Sequence, residues 1–177
     1  MQWIQKIEHV DKHMFTGINN TPLRTKWLDT FMLVITQLGE GWVEFLAISL
    51  FNFTIATSHI WYWQSIVSIV IAGLVCQFFK RFFPRMRPLN VMSEVFVVGP
   101  KLFKGSFPSG HTATAFAIAT LFTYYFPGIG QLFFLLAALV GISRVYVGAH
   151  FPFDVLSGSF VGICVSLAVI WLPYYYF

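Results

Sequence analysis

Three short segments hold most of the side chains that could do chemistry: Lys80-x6-Arg87-Pro88, Pro108-Ser109-Gly110-His111, and Ser143-Arg144-x5-His150-x3-Asp154. They supply two histidines, one carboxylate and three cations. Such a set is suited to holding a phosphate, attacking it and protonating what leaves. All three segments sit at the ends of apolar runs. Ionisable groups are costly at a membrane edge, so a functional reading is the default there.

Each segment has its own logic. Asp154 lies four residues after His150, a helical spacing at which a carboxylate can reach one imidazole nitrogen. Such a contact fixes the tautomer, frees the other nitrogen to attack, and stabilises the charged ring, as in hydrolase triads. In Pro108-Ser109-Gly110-His111, the proline is placed at the first helical position. The N–H groups of Ser109, Gly110 and His111 then point out of a helix N-terminus, which attracts anions. Arg87, Arg144 and Lys80 add planar forks and a point charge for phosphoryl oxygens. Taken singly, these are also an ordinary helix cap and cations snorkelling at a boundary. Arg81 and Arg85 are read as snorkelling only. It is the conjunction of the three segments that points to a site.

The elements that must position these groups are apolar helices. The chain has 177 residues, of which 57% are hydrophobic and 10% charged, with a mean hydropathy of +0.71. Soluble domains carry about 25% charged residues, so this is an all-α, polytopic membrane helix bundle forming one domain over residues 1–177. Spans are predicted at about 42–58, 62–83, 109–126, 129–147 and 152–172, five in all. Residues 25–38 form a shorter helix that either spans or lies in the interface, ending at Gly39-Glu40-Gly41. Residues 1–20 form an amphipathic interfacial helix, with Trp3, Ile4, Ile7, Val10, Met14, Phe15 and Ile18 along one stripe. Trp61-Tyr62-Trp63 reads as an interfacial aromatic belt. Gly158-x3-Gly162 permits close helix packing. Cys76 and Cys164 read as small buried hydrophobes. Two spans separate the loop at 84–108 from the turn at 148–152. Lys80, Arg87, His111, Arg144, His150 and Asp154 therefore share one membrane face. No basic stripe suggests nucleic acid; anionic lipid is the expected partner.

The three segments, in this order, resemble the signature of the type 2 phosphatidic acid phosphatase superfamily, with residues 80–154 as the signature region. That resemblance implies a lipid phosphate phosphatase. His150 would form a phosphohistidine, oriented by Asp154, and His111 would protonate the leaving group and later activate water. Lys80, Arg87, Arg144, Ser109 and Gly110 would hold the phosphoryl oxygens. Family members need no metal, so no cofactor is expected. The expected substrates are undecaprenyl diphosphate or phosphatidylglycerophosphate. The alternatives are a lipid A phosphate, or a non-catalytic role in binding or transporting a lipid phosphate. Some undecaprenyl diphosphate phosphatases carry Asp where this chain has Gly110. The resemblance also implies the bacterial cytoplasmic (inner) membrane with the site on its outer face, although the seven Lys and Arg on the site's face (80, 81, 85, 87, 101, 104 and 144) pull the other way.

Overall fold

The computed structural model describes residues 2–55, 59–101 and 105–171. Among these residues eight helices follow in order: α1 (Gln2–Asn19), α2 (Lys26–Gln37), α3 (Gly41–Ile55), α4 (His59–Phe82), α5 (Pro88–Val91), α6 (Gly110–Tyr125), α7 (Pro127–Tyr146) and α8 (Pro152–Trp171). No strand occurs among the described residues. Local chemistry marks the helix ends. Thr25 caps α2 by accepting the Leu28 N–H. Proline opens α7 and α8. Lys80 and Arg81 occupy the last turn of α4, where cations complement the helix dipole.

Among the described residues, three helices, α4, α7 and α8, are long and apolar enough to cross a membrane. A fourth crossing arises if α2 and α3, bent by 68° at their junction, count as one interrupted span. This is fewer than the five that the apolar runs predict. Helix α6 begins at Gly110 and has 16 residues, about 24 Å at 1.5 Å per residue, against a hydrocarbon thickness of about 30 Å. Helix α3 has 15 residues, and residues 56–58 at the end of the predicted 42–58 span lie outside the described residues.

Helix α6 is the axis of the bundle, packed against α4, α7 and α8. Its buried positions are mostly Ala and Thr: Ala113, Ala117, Ala119, Thr112, Thr114 and Thr120. Small side chains let neighbouring backbones approach. Helix α8 uses that freedom fully. A side chain at Gly158 or Gly162 would run into the carbonyls of Ser109 and Ala113 on α6. The Gly158-x3-Gly162 pattern is thus the seam that presses α8, and with it Asp154, against the start of α6.

Two aromatic and amphipathic expectations are corrected. Trp61 is 1% exposed and packs edge-on against Phe122 and Phe126; only Trp63 of that cluster is well exposed. Trp61 therefore fills the core at the end of the bundle away from the reactive segments. In α1, Asp11, Phe15 and Asn19 are completely buried, whereas Trp3, Ile7, Val10 and Met14 are exposed. The helix has two faces of use: one docks on the protein, and the other is free for the membrane interface. Asn19 latches it, donating from Nδ2 to the carbonyls of Phe96 and Tyr146, both at 2.8 Å. Cys76 is buried as expected, but Cys164 is exposed.

Candidate active site

His150 lies in the tight turn between α7 and α8, held by its N–H and that of Ala149, which donate to the Arg144 carbonyl. Its ring is 1% exposed. The Arg87 guanidinium, which can only donate, has Nη1 at 3.3 Å from His150 Nε2. Nε2 is therefore the acceptor, and the neutral ring carries its proton on Nδ1. Nδ1 lies 3.6 Å from Asp154 Oδ2, within ion-pair reach but too far for a hydrogen bond, and it has no other hydrogen-bond partner. Burial pushes the imidazole down to about 3; Arg144 and Arg87 push the same way, and Asp154 opposes them. The ring is thus neutral, with its Nε2 lone pair turned to a cation.

The cations gather around this ring. Arg87 also donates to the carbonyls of Ala149 (2.8 Å) and Gly105 (3.3 Å), and burial lowers its pKa. Arg144, 6% exposed, donates from Nη1 to Thr36 Oγ1 at 2.7 Å, while its Nε has no partner. Lys80 is close enough to Arg87, Arg144 and Asp154 to interact electrostatically with each. A Cβ added at Gly110 would sit 3.9 Å from Lys80 Nζ, so the ammonium lies over the N-terminus of α6. Three cations converge here, and the Asp154 carboxylate near them is already paired with Arg85. Such a cluster is built for an anion.

His111 opens α6. Its Nε2 is 2.9 Å from Glu40 Oε1, and Arg144 and Lys80 are the cations whose fields reach it. His111, Arg144, Thr36 and Glu40 line a cavity of about 160 Å³. All six groups expected on one face, Lys80, Arg87, His111, Arg144, His150 and Asp154, thus belong to one electrostatic network.

Ser109 departs from expectation. It is the N-cap of α6, so Pro108 precedes the cap rather than occupying the first helical position. The Ser109 N–H donates to the Asp154 carbonyl at 2.9 Å, and its Oγ accepts from Thr112 Oγ1 at 2.9 Å. Its amide is therefore unavailable to a phosphate. The helix start offers the amides of Gly110 and His111 instead.

Other residues matter here that the sequence did not single out. Arg85 is not a snorkelling cation: it donates from Nη1 to Asp154 Oδ1 at 2.6 Å and from Nη2 to Asp11 Oδ2 at 2.5 Å. Both carboxylates are fully buried. Asp154 Oδ2 also accepts the Phe151 N–H, and Asp11 Oδ1 the Phe153 N–H, both at 2.9 Å. Helix α1 is thereby tied to the start of α8 through Asp11 and Arg85. Scarcity was the available signal. The chain has only seven acidic residues, and a carboxylate inside an apolar fold calls for a partner.

Beside the site, an apolar groove of about 530 Å³ runs between α4 and α8. Val75, Phe79, Leu156, Phe160 and Val161 line it, and it reaches Phe107 and Pro108 at the start of the His111 segment.

Known proteins resemble this chain. The sequence profile of the PAP2 superfamily matches residues 61–177. An undecaprenyl-diphosphatase of Bacillus subtilis is 32% identical, over 86% of this chain and 79% of its own length. Phosphatidylglycerophosphatase B of the same organism is 30% identical, over 83% of this chain and 76% of its own. The crystal structure of Aquifex aeolicus LpxE superposes with a TM-score of 0.82 at 33% identity, covering 91% of this chain and 94% of that one. Membrane-length helices and a cation-ringed histidine pair, found where the profile matches, lead to one conclusion: this chain belongs to the PAP2 superfamily and is a membrane-embedded phosphoric ester hydrolase.

Proposed function

We propose that the protein removes a phosphate from a membrane lipid phosphate or diphosphate through a phosphohistidine on His150. The observation that supports this most is the state of the ring: buried, neutral, its Nε2 facing Arg87, with Asp154 behind Nδ1. Lys80, Arg87 and Arg144, with the amides of Gly110 and His111, hold the phosphoryl oxygens and stabilise the charge that develops on them. Nε2 attacks phosphorus as the bond to the leaving oxygen breaks. His111 donates a proton to that oxygen. Water then attacks the phosphohistidine, His111 accepts the proton from it, and the P–N bond breaks to return His150. This division of labour asks no metal of the site.

The groove between α4 and α8 supports delivery from the bilayer, because it is apolar and reaches Pro108. A tail lying there keeps its hydrocarbon out of water at roughly 0.8 kcal/mol per CH₂. Undecaprenyl diphosphate and phosphatidylglycerophosphate are the substrates this reading favours, since relatives named for each align over most of the chain. The site faces outward from a bacterial cytoplasmic membrane. The test is phosphate release by purified protein on a panel of undecaprenyl diphosphate, phosphatidylglycerophosphate, phosphatidic acid and lipid A 1-diphosphate. His150→Ala should abolish turnover of every member that is hydrolysed while the helical content persists. Near-normal turnover in a folded His150→Ala protein would remove the covalent mechanism.

A further inference from the structure

The start of α6 makes a contact that the reaction outlined above does not use. Glu40 Oε1 lies 2.9 Å from His111 Nε2. Glu40 sits at the bend between α2 and α3, and the bend is built against His111. A side chain at Gly39 would meet His111 Cβ at 2.9 Å and Val140 Cγ1 at 2.8 Å; only glycine lets the chain come this close. The same stretch also holds Arg144, through Thr36. One turn of chain, 36–40, therefore touches both the expected acid and one of the cations.

We propose that Glu40 is a positioning residue for His111: its carboxylate fixes the ring through Nε2 and stabilises the imidazolium, so that the site has a second carboxylate–histidine pair on the leaving-group side. The proposal rests on the reading of His111 as general acid. Glu40 does not touch the phosphoryl group; it acts through the ring. A histidine held through Nε2 keeps Nδ1 for the proton it delivers. As the P–O bond breaks, that proton passes from Nδ1 to the leaving oxygen, and the neutral ring stays hydrogen-bonded to Glu40. When water attacks the phosphohistidine, Nδ1 recovers a proton and the P–N bond breaks.

The surrounding charges give Glu40 its role. Burial pushes His111 down to about 4, Arg144 from α7 and Lys80 from α4 push the same way, and Glu40 is the anion that opposes them. Glu44, one helical turn further on in α3, is the other acid near Glu40. It is 3% exposed, and both its carboxylate oxygens lack a hydrogen-bond partner, so it supplies no competing contact to His111.

The experiment uses the full-length protein in detergent and a series of aryl phosphates running from 4-nitrophenyl phosphate, with a good leaving group, to phenyl phosphate, with a poor one. An acid contributes most where the leaving group is poor. Glu40→Gln should lose about tenfold in kcat/KM on phenyl phosphate, at the low end of what general acid catalysis contributes, and less than about threefold on 4-nitrophenyl phosphate. The acid must be protonated, so activity falls as pH rises through its pKa. Without the Glu40 anion the alkaline limb should move about one pH unit lower, the low end of the effect of a neighbouring opposite charge. Glu40→Asp, which keeps the charge one methylene back, should fall between. Equal losses on both esters, or an unmoved alkaline limb, would reduce Glu40 to a structural residue and overturn the proposal. His111→Ala separates failure of the acid from failure of its positioning. If it shows no leaving-group dependence, the acid reading itself falls and Glu40's role with it. If it shows that dependence and Glu40→Gln does not, only the Glu40 proposal falls.

Discussion

Arg85→Met is the most informative single perturbation outside the histidines. Arg85 bridges two carboxylates, Asp11 and Asp154, that are both completely buried. Methionine keeps the length and packing of the side chain but leaves both anions without their cation. Removing one partner of a buried pair typically costs about 3–5 kcal/mol. The Arg85 side chain is 28% exposed, so water can partly replace it, and about 3 kcal/mol is the expected loss. In a chain of this size that lowers the thermal midpoint by roughly 6–12 °C. The catalytic consequence is separate. Asp154, freed of Arg85, acts with its full charge on His150, 3.6 Å away. His150 must be neutral to attack, so activity is lost as pH falls through its pKa. Burial holds that value at about 3 in the native site. An unshielded carboxylate favours the imidazolium, so the acid limb of kcat/KM should move up by roughly one to three pH units. The loss should therefore be less than about twofold at pH 7 and should reach up to about tenfold at pH 5. The assay is a pH profile of both proteins on one lipid phosphate, so that ionisation of the substrate cancels, alongside thermal unfolding in the same detergent. A folded Arg85→Met protein with an unchanged acid limb would refute the idea that Arg85 controls the charge felt by His150.

Other outcomes are expected from the same geometry. Gly162→Val should destabilise the bundle severely, because its Cβ has no room against the Ala113 carbonyl; an unchanged melting temperature would mean that α8 does not sit this close to α6. Activity should survive EDTA, and vanadate should inhibit competitively, since Lys80, Arg87 and Arg144 can stabilise a five-coordinate phosphoryl group. Restoration of a lost activity by Mg²⁺ or Zn²⁺ would show instead that a metal takes part. Glucose 6-phosphate should be a much poorer substrate than a long-chain lipid phosphate at equal concentration in detergent, and equal turnover would remove the role of the groove between α4 and α8. His150 also ties stability to pH. Its folded value lies below the ordinary one, so the unfolded chain binds more protons between about 6.5 and 3, and stability should fall across that window as pH drops. Denaturation midpoints for native protein and His150→Ala would measure it.

How much of this was legible in the sequence follows from the range of each force. Helix-forming apolar runs and the i,i+4 spacing of His150 and Asp154 are local properties, and a linear chain displays them. So did Gly158 and Gly162, because close backbone approach has few other solutions. The number of crossings was less legible. Hydropathy does not reveal that α6 is enclosed by neighbours, or that α2 and α3 can count together as one bent span. Partners far apart in sequence were invisible. Arg85 read as a boundary cation until Asp11, 74 residues away, and Asp154, 69 residues away, were placed around it. Glu40 read as part of a helix break until the bend put it on His111, 71 residues on. Ser109 kept its place at the helix start but lost its amide to a carbonyl of α8. The sequence by itself determined which chemistry the chain can carry, because residue type and short-range spacing fix that. Only the tertiary structure decided which charges are shared and which remain for a phosphate, because electrostatic and hydrogen-bond energies depend on distances that packing alone sets.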